Sequence, residues 1–175
     1  VNGDLALFQA LNALLIDAED RVPGTVLDHA FIAEHTAGLG EFATAARQVN
    51  WADVAEATGL ARTEIEELAD RVLHSERIVV CWAMGLTQHK NSVPTIREVV
   101  NFLLLRGNIG RTGAGVSPVR GHSNVQGDRT MGIWEKPKPA FLDALAREFN
   151  FEPPREHGFD VVDSIRAMRD GKVKA

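Results

Sequence analysis

Cysteine is almost absent from this chain: Cys81 is the only one among 175 residues. A single thiol excludes an internal disulfide, and it excludes an iron-sulfur cluster ligated by four cysteines of this chain. No apolar run reaches the roughly 18 to 20 residues that span a bilayer, and no charged-then-apolar leader opens the sequence. The expectation is a soluble, cytoplasmic piece. Basic stripes and aromatic platforms are also missing, and the net charge is -5. That balance excludes a general pull toward nucleic acid or an anionic membrane, while a local basic group could still hold a phosphate. No Gly-x-Ser-x-Gly elbow, Gly-Lys-Ser/Thr phosphate loop or Gly-x-Gly-x-x-Gly turn occurs, which disfavours a serine hydrolase, a P-loop NTPase and a nicotinamide-dependent dehydrogenase.

What is present reads as a folded protein. Apolar residues make up 45% and charged residues 25%, close to the average for globular proteins, which argues against a long disordered chain. The length suits one domain, or one plus part of another. The first residues, Val1-Asn2-Gly3-Asp4, lack a methionine and suggest an internal piece of a longer protein.

Helical spacing of apolar residues predicts a buried helix over Leu5 to Leu15 with Asp4 as its cap. A short helix capped by Asp28 runs through Phe31, Ile32 and His35, another starts after Asn50, and Thr63 with Glu66 suggests a capping box for a helix reaching about His74. The β-branched run Ile78 to Trp82 predicts a strand buried on both faces of a parallel sheet, with Cys81 inside it. A loop over Ala83 to Ser92 then leads to a helix from about Pro94 to Leu105. Gly107 to Gly132 is so rich in glycine that it reads as one long structured loop. Helices over about Ala140 to Phe149 and Asp160 to Arg169 follow, and Gly171 to Ala175 resembles the approach to a strand. The fold class expected is α/β: a helix-rich Rossmann-like domain with a parallel sheet over residues 1–120, and the start of a second α/β domain over 121–175.

Two places could carry chemistry. The first is the strand end Trp82-Ala83-Met84-Gly85-Leu86-Thr87-Gln88, because ligands of open parallel sheets bind at the carboxyl ends of strands. Gly85 would let backbone amides approach a ligand, while Thr87 and Gln88 add a hydroxyl and an amide. The plain alternative is a strand-to-helix turn without a ligand. The second is Pro118 to Arg129, crowded with polar side chains that are costly to bury unanswered. Arg120 could clamp a phosphate or carboxylate in two bonds, and His122, Asn124 and Gln126 would alternate onto one face of an extended chain. A solvated connector is the competing reading. His29, His35, His74, His89 and His157 show no metal-ligand spacing and read as surface or capping residues, and Glu64, Glu66 and Glu67 read as a solvated helix face.

Trp82-Ala83-Met84-Gly85-Leu86-Thr87-Gln88-His89 and the block from Arg106-Gly107-Asn108-Ile109-Gly110 through Pro118-Val119-Arg120-Gly121-His122-Ser123-Asn124-Val125-Gln126-Gly127 together resemble the molybdopterin oxidoreductases. The likeness is to the alpha (molybdopterin) subunit of formate dehydrogenase-like enzymes, and it extends upstream through Asp28 to Thr36. This resemblance implies two molybdopterin guanine dinucleotides carrying molybdenum or tungsten, and a 4Fe-4S cluster in the parent protein. It also implies a small-molecule substrate such as formate, an electron-transfer subunit, and the remaining domains of the parent chain as partners. It places cofactor contacts on Met84, Gly85, Gln88, Arg120, His122, Asn124 and Gln126, with Arg120 also near the substrate as a catalytic residue. No metal ligand falls within the sequence. His122 and Ser123 depart from the glutamine and asparagine of formate dehydrogenases, which leaves substrates other than formate open. A non-catalytic nucleotide- or partner-binding module is the alternative.

Overall fold

The computed structural model describes residues 3–122 and 124–173. Ser123 and the end of the suggested final strand, Lys174 and Ala175, lie outside the described residues. The chain packs as two compact units that meet in sequence at Gly121 and His122.

The first unit is built around α1 (Gly3–Arg21). Leu11, Leu15 and Ile16 recur along one side of this helix and are buried, as the spacing requires. They pack among α3 (Leu39–Ala46), α4 (Trp51–Thr58), α5 (Arg62–Leu73) and α7 (Ser92–Leu105). Phe8 of α1 meets Phe102 of α7 edge-on, with ring centroids 5.5 Å apart.

The caps follow residue chemistry. Asp28 Oδ1 accepts from the Phe31 amide at 3.0 Å to open α2 (His29–His35). Asn50 Oδ1 accepts from the Ala52 amide at 3.0 Å to open α4. The capping box expected at Thr63 and Glu66 is displaced. Ala61 is the last extended residue, so Thr63 is already helical, and it is Glu64 that reaches back to the Ala61 amide at 2.7 Å. Glu66 pairs instead with Arg62 one turn away, at 2.7 Å.

One parallel strand pair lies among the described residues: β1 (Val79–Trp82) beside β2 (Gly115–Pro118), in the register Val79 to Gly115 through Trp82 to Pro118. This makes the chain α/β and rich in helix. Two expectations fail here. The strand is not buried on both faces: Val80 packs toward the helical core, while Val79 is 50% exposed and Cys81 is exposed. Helices cover a single side of the pair among the described residues, so alternate side chains face outward. The stretch from Gly107 to Gly132 is also not one loop, because it contains β2 and α8 (Val125–Thr130). Gly115 and Pro118 are poor strand formers; hydrogen bonding to β1 supplies what local propensity lacks.

The described residues of the second unit hold α8, α9 (Pro139–Phe149) and α10 (Val161–Arg169). Pro139 suits the first turn of α9, and Asn150 ends it in the left-handed region at φ 50°. Asp160 caps α10 through the Asp163 amide at 2.8 Å. Lys136 pairs with Asp163 at 3.2 Å and Asp160 at 3.4 Å. No described helix is long and apolar enough to cross a membrane.

Candidate functional site at the strand ends

The site begins with the direction of the strands. β1 and β2 are parallel, so both carboxyl ends lie on one edge of the pair. The Val119 amide donates to the Trp82 carbonyl at 2.7 Å, carrying the pairing just past β2, and Arg120 follows immediately. On the other strand, Ala83 is extended and α6 (Met84–Thr87) turns the chain away, where sequence reasoning expected a loop. A Cβ placed on Gly121 would stand 2.7 Å from Met84 Cε and 3.0 Å from Met84 Sδ. Gly121 therefore lies directly against the Met84 thioether. Gln88 Nε2 is 3.4 Å from the same sulfur.

Met84, Gly85, Gln88 and Arg120 are thus gathered on one strand-end surface. All four are exposed, Met84 at 40%. A Cβ on Gly85 would meet nothing within 4 Å, so the backbone there is open to an approaching group. The surface offers a guanidinium, a carboxamide, the Thr87 hydroxyl and a polarizable sulfur. That set suits a ligand with phosphate oxygens and a heterocyclic ring.

The loop that delivers β2 is held by residues that sequence reasoning did not single out. Asn108 is buried; its Oδ1 accepts from the Ile78 amide at 3.0 Å, and its Nδ2 donates to the Arg106 carbonyl at 3.3 Å. Arg106 donates to the carbonyls of Ser75 at 2.9 Å and Leu73 at 3.3 Å, and burial together with nearby Arg111 lowers its pKa. Gly107 sits at φ 59°, where a Cβ would collide with the Asp28 carboxylate. The signal available in the sequence was an asparagine between two glycines right after a helix, a pattern of helix ends and turns.

His122, Asn124 and Gln126 begin the second unit, and all three are exposed. They do not alternate along an extended chain: Gln126 is inside α8 and Asn124 precedes it. The Asn124 amide folds over the first turn, where any Cβ on Gly127 would strike it. Arg129 is already engaged, 4.3 Å above the Trp134 ring and 2.7 Å from Glu135. His89, read as a surface residue, is half-buried, and neither ring nitrogen has a hydrogen-bond partner among the described residues. No cluster of three or more His, Cys, Asp or Glu side chains suited to a metal occurs among the described residues.

Comparisons with known proteins find relatives that carry oxidoreductase names. No protein-family model matches the chain. A Mycobacterium tuberculosis protein named "uncharacterized oxidoreductase" is 56% identical over 173 residues, which is 99% of this chain and 22% of that protein. Protein YdeP of Escherichia coli K12 is 41% identical over 179 residues, 100% of this chain and 24% of YdeP. A Staphylococcus aureus protein provisionally named a formate dehydrogenase is 30% identical over 178 residues, 97% of this chain and 18% of its own length. The chain thus spans about a fifth of the length of the curated relatives it matches. Relatives on both sides of YdeP in similarity carry oxidoreductase names, and the match with each runs over nearly all of this chain, strand ends included.

Proposed function

We propose that this chain is a segment of a molybdopterin-dependent oxidoreductase of the formate dehydrogenase-like kind, contributing one wall of the pocket for a molybdopterin guanine dinucleotide. The observation that carries the proposal is the meeting of the two sequence blocks: Arg120 leaves β2 beside the turn that leaves β1, with Gly121 seated on Met84. The parallel pairing of β1 and β2 brings these two segments together, and the strand-end edge it makes is where ligands of open parallel sheets bind.

The residues present suit such a group. A guanine dinucleotide brings a pyrophosphate, which Arg120 can grip in two bonds, and ring edges that Gln88 can answer. Gly85 leaves the backbone uncovered, and the Met84 thioether can lie on a ring face. When bound, the group supplies the molybdenum or tungsten centre that takes two electrons from the substrate. Arg120 has a second task in this reading: its fixed positive charge orients an anionic substrate such as formate. The resemblance also assigns cofactor contacts to His122, Asn124 and Gln126, which belong to the second unit. A 4Fe-4S cluster, its cysteines and an electron-transfer subunit belong to the longer polypeptide and its assembly.

The test uses the full-length protein. Molybdenum or tungsten content should rise and fall with activity, and Arg120→Ala should cut turnover far more than cofactor content. Equal losses would restrict Arg120 to holding the cofactor. Active protein without either metal would end the proposal, and nucleotide binding without metal or turnover would favour a binding module.

A further inference from the structure

α10 turns its bulk outward. Val161, Ile165 and Met168 follow one another at intervals of four and three residues, so they form one stripe along the helix, and they are 81%, 61% and 57% exposed. Val162 stands beside them and is also exposed. The opposite side carries Ala167, which is buried, and Asp163, which pairs with Lys136 at 3.2 Å. A surface helix ordinarily has the reverse arrangement, with apolar residues inward and charges outward. The remainder of the second unit is no better packed: among its described residues only Leu142, Pro153 and Ala167 are buried.

A helix of nine residues is too short to hold its shape in water by propensity, and depends on the packing of an apolar face. In α10 the face suited to that packing meets nothing among the described residues. The side chains that make the stripe are uncharged, so the surface that fits it is apolar as well. The matches with the M. tuberculosis protein, YdeP and the S. aureus protein cover 22%, 24% and 18% of those polypeptides, so their greater part lies outside the matched region. A surface tethered in the same polypeptide is present at high effective concentration, whereas a second copy must give up its freedom of movement to associate.

We infer that the stripe of Val161, Ile165 and Met168 is a docking face for an apolar surface of the same longer polypeptide, outside these 175 residues. The second unit is then an incomplete domain, whose core closes over α10 when that surface packs against it. The inference rests on the exposure of α10 and on the length of the relatives, and does not depend on the proposed cofactor.

The test places Ile165→Cys in the 175-residue chain and in the longer natural polypeptide. Alkylation by iodoacetamide is followed by peptide mass spectrometry, which reads residue 165 apart from Cys81 and any other thiol. Labelling should be about tenfold slower or more in the longer polypeptide. Arg166→Cys, one residue on and turned away from the stripe, should label at similar rates in both. Oxidation of Met168 by hydrogen peroxide in the unsubstituted proteins gives a second reading that no substitution disturbs, and the same slowing is expected there. Equal rates in the two proteins at residue 165 and at Met168 would overturn the inference, and so would equal slowing at Arg166→Cys. Labelling of the 175-residue chain that speeds up on dilution would assign the face to a second copy and overturn it too.

Discussion

Replacing Glu19 by glutamine tests how the first unit is held together. Glu19 lies near the end of α1 with only 7% of its surface exposed. It accepts hydrogen bonds from the amides of Val26 at 2.9 Å and Leu27 at 3.0 Å, from the Gly24 amide, and from His29 Nε2 at 2.7 Å. Burial pushes its carboxyl up, but the bonds from His29, Gly24, Leu27 and Val26 together outweigh burial and bring it from 4.5 down to about 2. Each tenfold change in proton affinity is worth about 1.4 kcal/mol, so the ionised carboxylate stabilises the fold by about 3 kcal/mol. Glutamine keeps the shape but loses the charge, and it turns a donor toward groups that also donate. Glu19→Gln should therefore lose about 3 kcal/mol at neutral pH, measured by urea unfolding. The sign of the pH effect follows from the lowered value. The contribution is complete above about 4.5, where the unfolded carboxyl is also ionised, and it disappears as pH falls toward about 2. The gap between wild type and variant should therefore close across that interval. A loss below about 0.5 kcal/mol at pH 7, or a gap that stays constant down to pH 2.5, would refute the reasoning.

Three other outcomes are expected. Gly107→Ala forces a left-handed backbone onto alanine and drives its Cβ into the Asp28 carboxylate that caps α2, so it should cost about 2 to 3 kcal/mol in thermal or urea unfolding. Gly110→Ala, at φ 76° with nothing within 4 Å, should cost about 1 kcal/mol less, since only the backbone objects. Cys81 is exposed, so a thiol reagent should label it in the native protein without denaturant; labelling that requires unfolding would contradict the observed strand orientation.

α1, α2, α4, α5, α7, α9 and α10 were legible because each carries its own local evidence, whereas α3, α6 and α8 were not read from the sequence. The cap at Asp28 and the stripe Leu11, Leu15, Ile16 are local patterns, and the structure reproduces them. β2 was not legible. Gly-Val-Ser-Pro has neither length nor propensity, and it becomes a strand only because Ile78 to Trp82 offers hydrogen bonds to it. The same dependence on a distant partner hid the exposure of Cys81, which the apolar run around it concealed. In the site, Met84, Gly85, Gln88 and Arg120 could be named from residue chemistry, but the seating of Gly121 on Met84 needed the pairing. The expected alternation of His122, Asn124 and Gln126 failed because two of its assumed extended residues enter or border α8.

The position of Arg120 therefore depends on a small set of contacts, separate from those that stabilise the helices. β2 is fixed by four residue pairs with β1, by the Gly115 amide on the Ile78 carbonyl at 2.9 Å, and by Asn108 beneath them. The α1 and α7 packing does not pass through β2. An isolated parallel pair is weak, and parallel sheets are ordinarily covered on both faces. Here Val79 is 50% and Val116 43% exposed, in a chain that is a fifth of its relatives' length. Damage at Asn108 should loosen the strand ends, and Arg120 with them, long before it unfolds the helices. The loop from Arg106 to Gly115 thus sets where β2 and Arg120 lie, and because its Gly107 also stands against the Asp28 cap of α2, a change there acts on the strand ends and on helix stability together.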